Sequence, residues 1–198
     1  MGREKLADAV KQIAWGYVLF HVNINLGSFN LLPNWLGYIL ILGVLSILGE
    51  SEPSALLLRP LGMLLAVWEG LLWGLTVFGV SFDSTILRLI TAAVSLYFHF
   101  QLLTDLADLA GRFCCPERRK ILHLRTAKTL FITVFSLPVP WARYMSLSMG
   151  VIVVNLIVAL WICSVLFSLR HALEENQLPP HAPTGEVWRP EGGHSAEM

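Results

Sequence analysis

Long apolar stretches alternate with short polar segments along this chain, and each apolar stretch predicts a membrane-spanning helix. A helix needs roughly 20 apolar residues to cross the hydrocarbon core of a bilayer. Six stretches approach that length. We therefore predict an all-α fold, a polytopic transmembrane bundle of six helices, with three hairpins as one arrangement. The predicted spans lie at about 10–27, 34–49, 60–80, 85–106, 121–138 and 143–169.

The hydrophobic pattern ends near Glu174. The sequence from that residue onward holds four of the ten prolines and few apolar residues. Such a segment cannot bury enough apolar surface to offset the entropy cost of ordering. We predict a transmembrane domain over residues 1–173 and a disordered cytoplasmic tail over residues 174–198.

Composition agrees with a membrane protein. Of the 198 residues, 55% are hydrophobic and only 14% are charged, with a mean hydropathy of +0.63. A soluble domain carries about 25% charged residues. The formal net charge is zero, so nothing indicates a nucleic-acid partner. The partner that this composition does predict is the lipid bilayer.

The positions of the Lys and Arg residues predict the topology. Twelve of the fourteen lie on one side of a six-span arrangement, and only Arg88 and Arg143 lie on the other. Cytoplasmic loops carry the excess of basic residues, so both termini are predicted to be cytoplasmic in a multi-pass protein of the cell membrane. The basic run Arg118, Arg119 and Lys120 is also predicted to contact anionic lipid.

The segment FHVNINLGSFNLLPNWLGYILI, residues 20–41, is polar for so apolar a chain. We interpret it as a tight outward corner between the first two spans, because asparagine side chains satisfy backbone groups in turns and proline can open a helix. The alternative is a re-entrant loop whose amides face a ligand or ion. The residues of this outward corner motif are Asn23, Gly27, Asn30, Pro33, Gly37 and Tyr38.

Part of the corner sequence has a similar counterpart later in the chain. The segment FNLLPNWLGY, residues 29–38, resembles FSLPVPWARY, residues 135–144, and both lie at predicted outward corners. A parallel repeat of a two-span hairpin would produce this similarity. Chance would also produce it in so apolar a sequence, and the sequence does not decide between the two.

One carboxyl is predicted deep in the membrane. Glu69 lies roughly 15 Å along its span from Pro60, where a charged group is costly and marks a functional position. His99 lies in the next span, which should be an antiparallel neighbour, so we predict a Glu69–His99 contact. Candidates for a transport path or proton relay are therefore Glu69, His99, His21, Asn25 and Asn155.

The competing interpretation of the polar positions is helix packing. Small and hydroxyl side chains let membrane helices approach closely, and Gly70-x-x-x-Gly74 fits that use. The second span, at about 34–49, has no polar face, and we predict that it is peripheral.

Enzyme motifs are absent from the sequence, so no catalytic residue and no cofactor are predicted. Asp105 and Asp108 have the i, i+3 spacing of a weak divalent-ion site, although solvated charges at a helix end are the plainer interpretation. The adjacent Cys114 and Cys115 fit either small apolar positions or reversible acylation.

The run INLGSFNLLPNWLGYILI, together with YFHFQLLTDLADLAGR, resembles an uncharacterised family of small multi-span membrane proteins of Gram-positive bacteria. The resemblance rests on Asn25, Gly27, Pro33, Gly37 and Tyr38 and covers about a quarter of the chain. It implies a bacterial inner-membrane protein and no known activity.

These patterns predict a small permease or channel-like protein with a protonatable intramembrane centre. The alternative is a non-catalytic membrane subunit, partner or sensory protein whose polar stripes only hold helices together. A homo-oligomer or a second membrane partner fits either function. The sequence does not specify a substrate.

Overall fold

The computed structural model describes residues 3–21, 25–26, 29–30, 33–80, 84–136 and 145–175. These are almost entirely helical, which confirms the all-α class. A 3₁₀ helix, Pro53–Leu57, leads into the third long helix, and two-residue strands β1 (Asn25–Leu26) and β2 (Phe29–Asn30) pair antiparallel. The long helices are α1 (Arg3–His21), α2 (Asn34–Ser51), α3 (Leu58–Val77), α4 (Thr85–Arg112), α5 (Glu117–Ser136) and α6 (Met145–Glu175).

Four helical stretches are long and apolar enough to cross a membrane: Asn34–Ser51, Pro53–Val77, Thr85–Arg112 and Val153–Glu175. This supports the prediction of a membrane protein. Within the described residues, α1 and α5 fall short of that standard because charged side chains fill their first halves. Six crossings therefore stay a prediction.

The six helices form a closed ring. Each helix packs on its neighbours in the chain, and α1 also packs extensively on α6. The arrangement is thus a ring rather than three independent hairpins. The seam between α3 and α4 is the loosest of the six, whereas the α1–α6 and α4–α5 seams are the tightest.

The prediction that the second span is peripheral was wrong. Helix α2 lies between α1 and α3 and buries Tyr38, Ile41, Leu45 and Leu48 in the common core. A helix that is apolar on all sides can be covered on all sides. The absence of a polar stripe therefore says little about where the helix lies.

Two glycines let α1 and α2 cross closely. A Cβ atom at Gly37 would lie 2.8 Å from the carbonyl oxygen of Gly16 and 2.7 Å from the ring of Phe20. By contrast, a Cβ atom at Gly70 first meets Trp35 at 3.8 Å, and one at Gly74 meets nothing within 4 Å. The predicted Gly70-x-x-x-Gly74 contact is therefore not a close crossing.

Charged side chains collect at one end of the ring, which we call the basic end. There the Arg3 guanidinium lies 5.1 Å from the ring centroid of Phe113. Arg112 Nε lies 2.7 Å from Oε1 of Glu52, and Nη2 of Arg112 donates to Oε2 at 3.0 Å. Burial raises the pKa of the Glu52 carboxyl, and the Arg112 guanidinium offsets part of that rise.

The first and last described residues lie at this same basic end. Helix α1 begins beside the end of α4, and the end of α6 borders a cavity shared with Cys114 and Glu117 at the start of α5. An even number of helices in an up-and-down ring produces this arrangement. The predicted tail lies almost wholly in residues 176–198, outside the described part of the chain.

Candidate functional site

A cavity of about 330 Å³ opens between α3 and α4, on the side of the ring where these helices pack loosely. We call it the α3–α4 cavity. It exists because the side chains of these two loosely packed helices do not fill the space between them. Its lining includes Trp68, Glu69 and Leu72 from α3 and Arg88, Thr91 and Ser95 from α4.

Glu69 is the acidic residue of this cavity. Its side chain is half-buried, and its carboxyl forms a hydrogen bond with the side chain of Asn34 at the start of α2. Helix α2 therefore begins at the level of the middle of α3. The end of α3 and the start of α4 extend beyond the start of α2. Glu69 combines access from the cavity with a polar partner inside the bundle.

The predicted Glu69–His99 contact is wrong. Position 62 of α3 contacts Phe98, so His99 lies about 10 Å further along the bundle than Glu69. Two i, i+4 steps also rotate a residue by about 80° around a helix of 3.6 residues per turn. Thr91 therefore faces α3, whereas His99 faces α1.

His99 is enclosed by aromatic rings. The rings of Tyr17, Phe20, Tyr38 and Phe98 have centroids 5.3–6.2 Å from the imidazole centroid. The Tyr17 hydroxyl lies 3.1 Å from Nδ1 of His99, and the histidine is only 5% exposed. This enclosure separates His99 from the α3–α4 cavity and gives it a packing role.

His21 forms a second polar contact, with a lysine that the sequence argument did not single out. Lys128 Nζ lies 3.0 Å from Nε2 of His21, and Nδ1 of His21 lies 2.8 Å from the carbonyl oxygen of Tyr17. A carbonyl oxygen only accepts and an ammonium only donates. With Lys128 charged, His21 is therefore neutral and carries its proton on Nδ1.

Lys128 is 8% exposed, although it enters the sequence prediction only as one of the twelve basic residues on the cytoplasmic side. It lies eleven residues after the first residue of α5, or about 16 Å along the helix. Lys128 thus lies as far along its helix as Glu69 lies along its own. The same estimate of depth from residue number would have identified Lys128 from the sequence.

Some residues of the outward corner motif pack in the bundle, and others lie outside the described residues. Pro33 is buried and caps the start of α2, and the Tyr38 hydroxyl lies 3.3 Å from Ser95 Oγ. The backbones of Asn25 and Asn30 form the short strand pair. Asn23 and Gly27 lie outside the described residues, as does most of the second copy of the predicted repeat, at 137–144.

Asn155 is half-buried on α6, and no hydrogen bond of its side chain to another described residue is seen. Asn155 belongs to α6, whereas the α3–α4 cavity is lined by residues of α3, of α4 and by the residue before α4. The structure therefore does not place Asn155 at the cavity.

Asp105 is buried and accepts hydrogen bonds at Oδ1 from Ser54 Oγ (2.7 Å) and Gln101 Nε2 (2.8 Å), whereas Asp108 is exposed. Across the described ranges, no three His, Cys, Asp or Glu residues are grouped as a metal site. Asp105 instead ties α4 to the 3₁₀ helix. Cys114 is exposed and Cys115 is buried.

No protein-family model, curated protein or solved structure matches this chain.

Proposed function

We propose that this protein is a small permease in which the α3–α4 cavity holds the solute and Glu69 is the protonatable centre. The observation that carries the proposal is a half-buried carboxyl lining an open cavity at the loosest helix seam. A charged carboxylate is costly at membrane depth. Binding a solute or a proton at Glu69 therefore changes the energy of the cavity, which is what coupled transport requires.

The proposed topology has six crossings with both termini in the cytoplasm. Support comes from the ring, in which α1 and α5 pack between the more apolar helices while their charged halves lie toward the basic end. The side with more basic residues faces the cytoplasm. The resemblance of the corner segment to small Gram-positive membrane proteins leads us to propose a bacterial cell membrane.

Within this proposal the two histidines do not line the solute path. His99 bonds to Tyr17 inside an aromatic enclosure, and His21 bonds to Lys128. Both contacts join α1 to other helices of the ring, so they hold the bundle around the cavity. Glu69 alone is assigned the titrating role.

Carbodiimide labelling of Glu69 in native membranes, measured across pH, tests the proposal. Carbodiimides modify protonated carboxyls in apolar surroundings. We expect labelling that falls as the pH rises, with the Glu69→Gln variant as the blank. Absence of labelling at every pH would refute a titrating, accessible Glu69.

Cysteine accessibility tests the cavity separately. In a variant whose three native cysteines are replaced, Ser95→Cys should react with a water-soluble methanethiosulfonate because Ser95 lines the cavity. The matched control is Val67→Cys, since Val67 is 61% exposed on the outer surface of α3 and would face lipid. Equal reaction rates at the two positions would mean that the cavity holds no water.

A second function, that of a non-transporting membrane subunit, is favoured by one observation. The described interhelical polar contacts of His21, His99 and Tyr38 are all made to other side chains of the ring, as packing alone would require. For a subunit of this kind, Glu69→Gln lowers the melting temperature of the purified protein and Glu69 is not labelled. For a permease, the variant stays folded and loses flux.

A further inference from the structure

The α3–α4 cavity contains one acid and one base that do not neutralise each other. Glu69 and Arg88 both line it, and among the ion pairs of the described residues none joins these two side chains. Glu69 bonds to Asn34 instead. A site with separated charges of opposite sign complements a molecule that carries both charges.

A smaller apolar cavity, about 140 Å³, continues from the first. The two share Trp68, Leu87 and Thr91, and the smaller one extends along α3 to Leu64 and Leu65. These leucines lie further from the α3–α4 turn than Glu69 does. An apolar group bound here would therefore lie further along the helix axis, toward the basic end, than the two charged groups.

We propose that the cavity binds a small zwitterion with an apolar side group, that is, an apolar α-amino acid. The Arg88 guanidinium would bind the carboxylate, since arginine forms two parallel hydrogen bonds with a carboxylate. Glu69 would bind the ammonium group, and the smaller cavity would hold the side group. The inference rests on the proposed function and names the substrate class of the same site.

The order of the groups along the bundle favours a free amino acid over an aminophospholipid. Glu69 lies eight residues before the end of α3, and Arg88 lies three residues after the start of α4. Because the two helices are antiparallel, Glu69 is about 7 Å deeper than Arg88. An aminophospholipid carries its amine outside its phosphate, which would place the amine against Arg88.

Equilibrium binding to the purified full-length protein in detergent tests the proposal. The probes are L-leucine, 4-methylpentanoate, which lacks only the amine, and 3-methylbutylamine, which lacks only the carboxylate. We expect L-leucine to bind at least about tenfold more tightly than either analogue, because each analogue leaves one charged side chain unpaired. L-phenylalanine serves as a second zwitterion with a larger apolar group.

Two variants assign the charges. Glu69→Gln should abolish the preference for L-leucine over 4-methylpentanoate, and Arg88→Gln should abolish the preference over 3-methylbutylamine. Val67→Ala, on the outer surface of α3, is the matched control and should keep both preferences. An unchanged melting temperature without ligand shows that each variant is folded.

Several outcomes would overturn the assignment: no binding of either amino acid, equal binding of all three leucine probes, or stronger binding of phosphatidylethanolamine. Uptake into proteoliposomes separates this inference from the proposed function. Leucine binding without uptake would support the binding site and contradict the permease function. Carbodiimide labelling of Glu69 together with flux of another solute, but without leucine binding, would support the permease function and contradict this substrate class.

Discussion

The Tyr17 hydroxyl lies 3.1 Å from Nδ1 of His99 and joins α1 to α4 across the ring. Both side chains are buried. The rings of Phe20, Tyr38 and Phe98 also surround the imidazole, so water cannot replace a lost partner. The contact fixes the spacing of two helices that are opposite each other in the ring.

Tyr17→Phe should therefore destabilise the protein by about 1–3 kcal/mol, the cost of leaving a buried polar group unsatisfied. The matched variant is Tyr38→Phe, which removes a longer contact of 3.3 Å to the half-buried Ser95 and should cost less. Thermal unfolding in detergent measures both. Equal losses would mean that the enclosure of His99 adds nothing to the bond.

The Lys128–His21 contact leads us to expect one tautomer of His21. With Lys128 charged, the proton must be on Nδ1, because Nε2 accepts from the lysine. Solid-state NMR of ¹⁵N-histidine-labelled protein in lipid should show a protonated Nδ1 and an unprotonated Nε2 for His21. Lys128→Met should shift the Nε2 signal, because it removes the donor to that nitrogen, while Nδ1 keeps its proton through the Tyr17 carbonyl oxygen. Lys120→Met, at an exposed position, should leave the spectrum unchanged. A wild-type signal from Nε2–H would contradict the contact.

Gly37→Ala should cost about 1–3 kcal/mol of stability, as overpacking of a filled core does. The added methyl group would meet the Gly16 carbonyl oxygen at 2.8 Å, and backbone cannot move aside cheaply. Gly74→Ala is the control, since nothing lies within 4 Å and alanine favours a helix interior by about 1 kcal/mol. Melting temperatures of the two variants should move in opposite directions, and a common shift would argue against a close α1–α2 crossing.

Asp105 should tolerate asparagine and not alanine. Oδ1 accepts both described hydrogen bonds, and Oδ2 is buried with no hydrogen-bond partner among the described residues. Asparagine keeps the accepting oxygen, so this change should cost less stability than the change to alanine. Alanine leaves Ser54 and Gln101 without their acceptor and should lower the stability by about 1–3 kcal/mol. Chemical unfolding of the two variants, with the exposed Asp108→Ala as control, tests this; loss of stability in Asp105→Asn would show that the charge itself matters.

Glu52 should make stability depend on pH. Burial raises its pKa in the folded protein above the ordinary value of 4.5 for a glutamate carboxyl, so the folded state holds this proton more tightly than the unfolded chain does. Stability then falls as the pH rises from about 4.5 through the raised pKa and levels off above it. The melting temperature of the wild type should show this fall, and Glu52→Gln should flatten it. A matching fall in the variant would assign the effect to another group.

The sequence predicted the helices well and their mutual rotation poorly. The second and fourth spans were predicted at about 34–49 and 85–106, and the helices run over Asn34–Ser51 and Thr85–Arg112. Apolar runs and Pro33 set these limits locally. Which face of α4 meets which helix depends on packing around the whole ring, and this is why His99 was assigned to Glu69 instead of Tyr17.

The candidate site was predicted in part. The depth of Glu69 pointed to a functional carboxyl, and the carboxyl does line a cavity. Arg88 was treated only as one of two outward charges, because sequence spacing does not reveal that a loose seam brings it to the same cavity. Position along a helix can be estimated from residue number, but the width of the gap between two helices cannot.

The α1–α6 seam has a consequence for biosynthesis. Of the six helices α1 leaves the ribosome first, but its largest packing partner is α6, which is made last of the six. Until α6 is synthesised, the part of α1 that packs on α6 stays uncovered, and Lys128 must also be synthesised before His21 has its partner. Assembly of the ring therefore waits until α6 has been synthesised, and a chain that stops before α6 presents an incomplete bundle to membrane quality control.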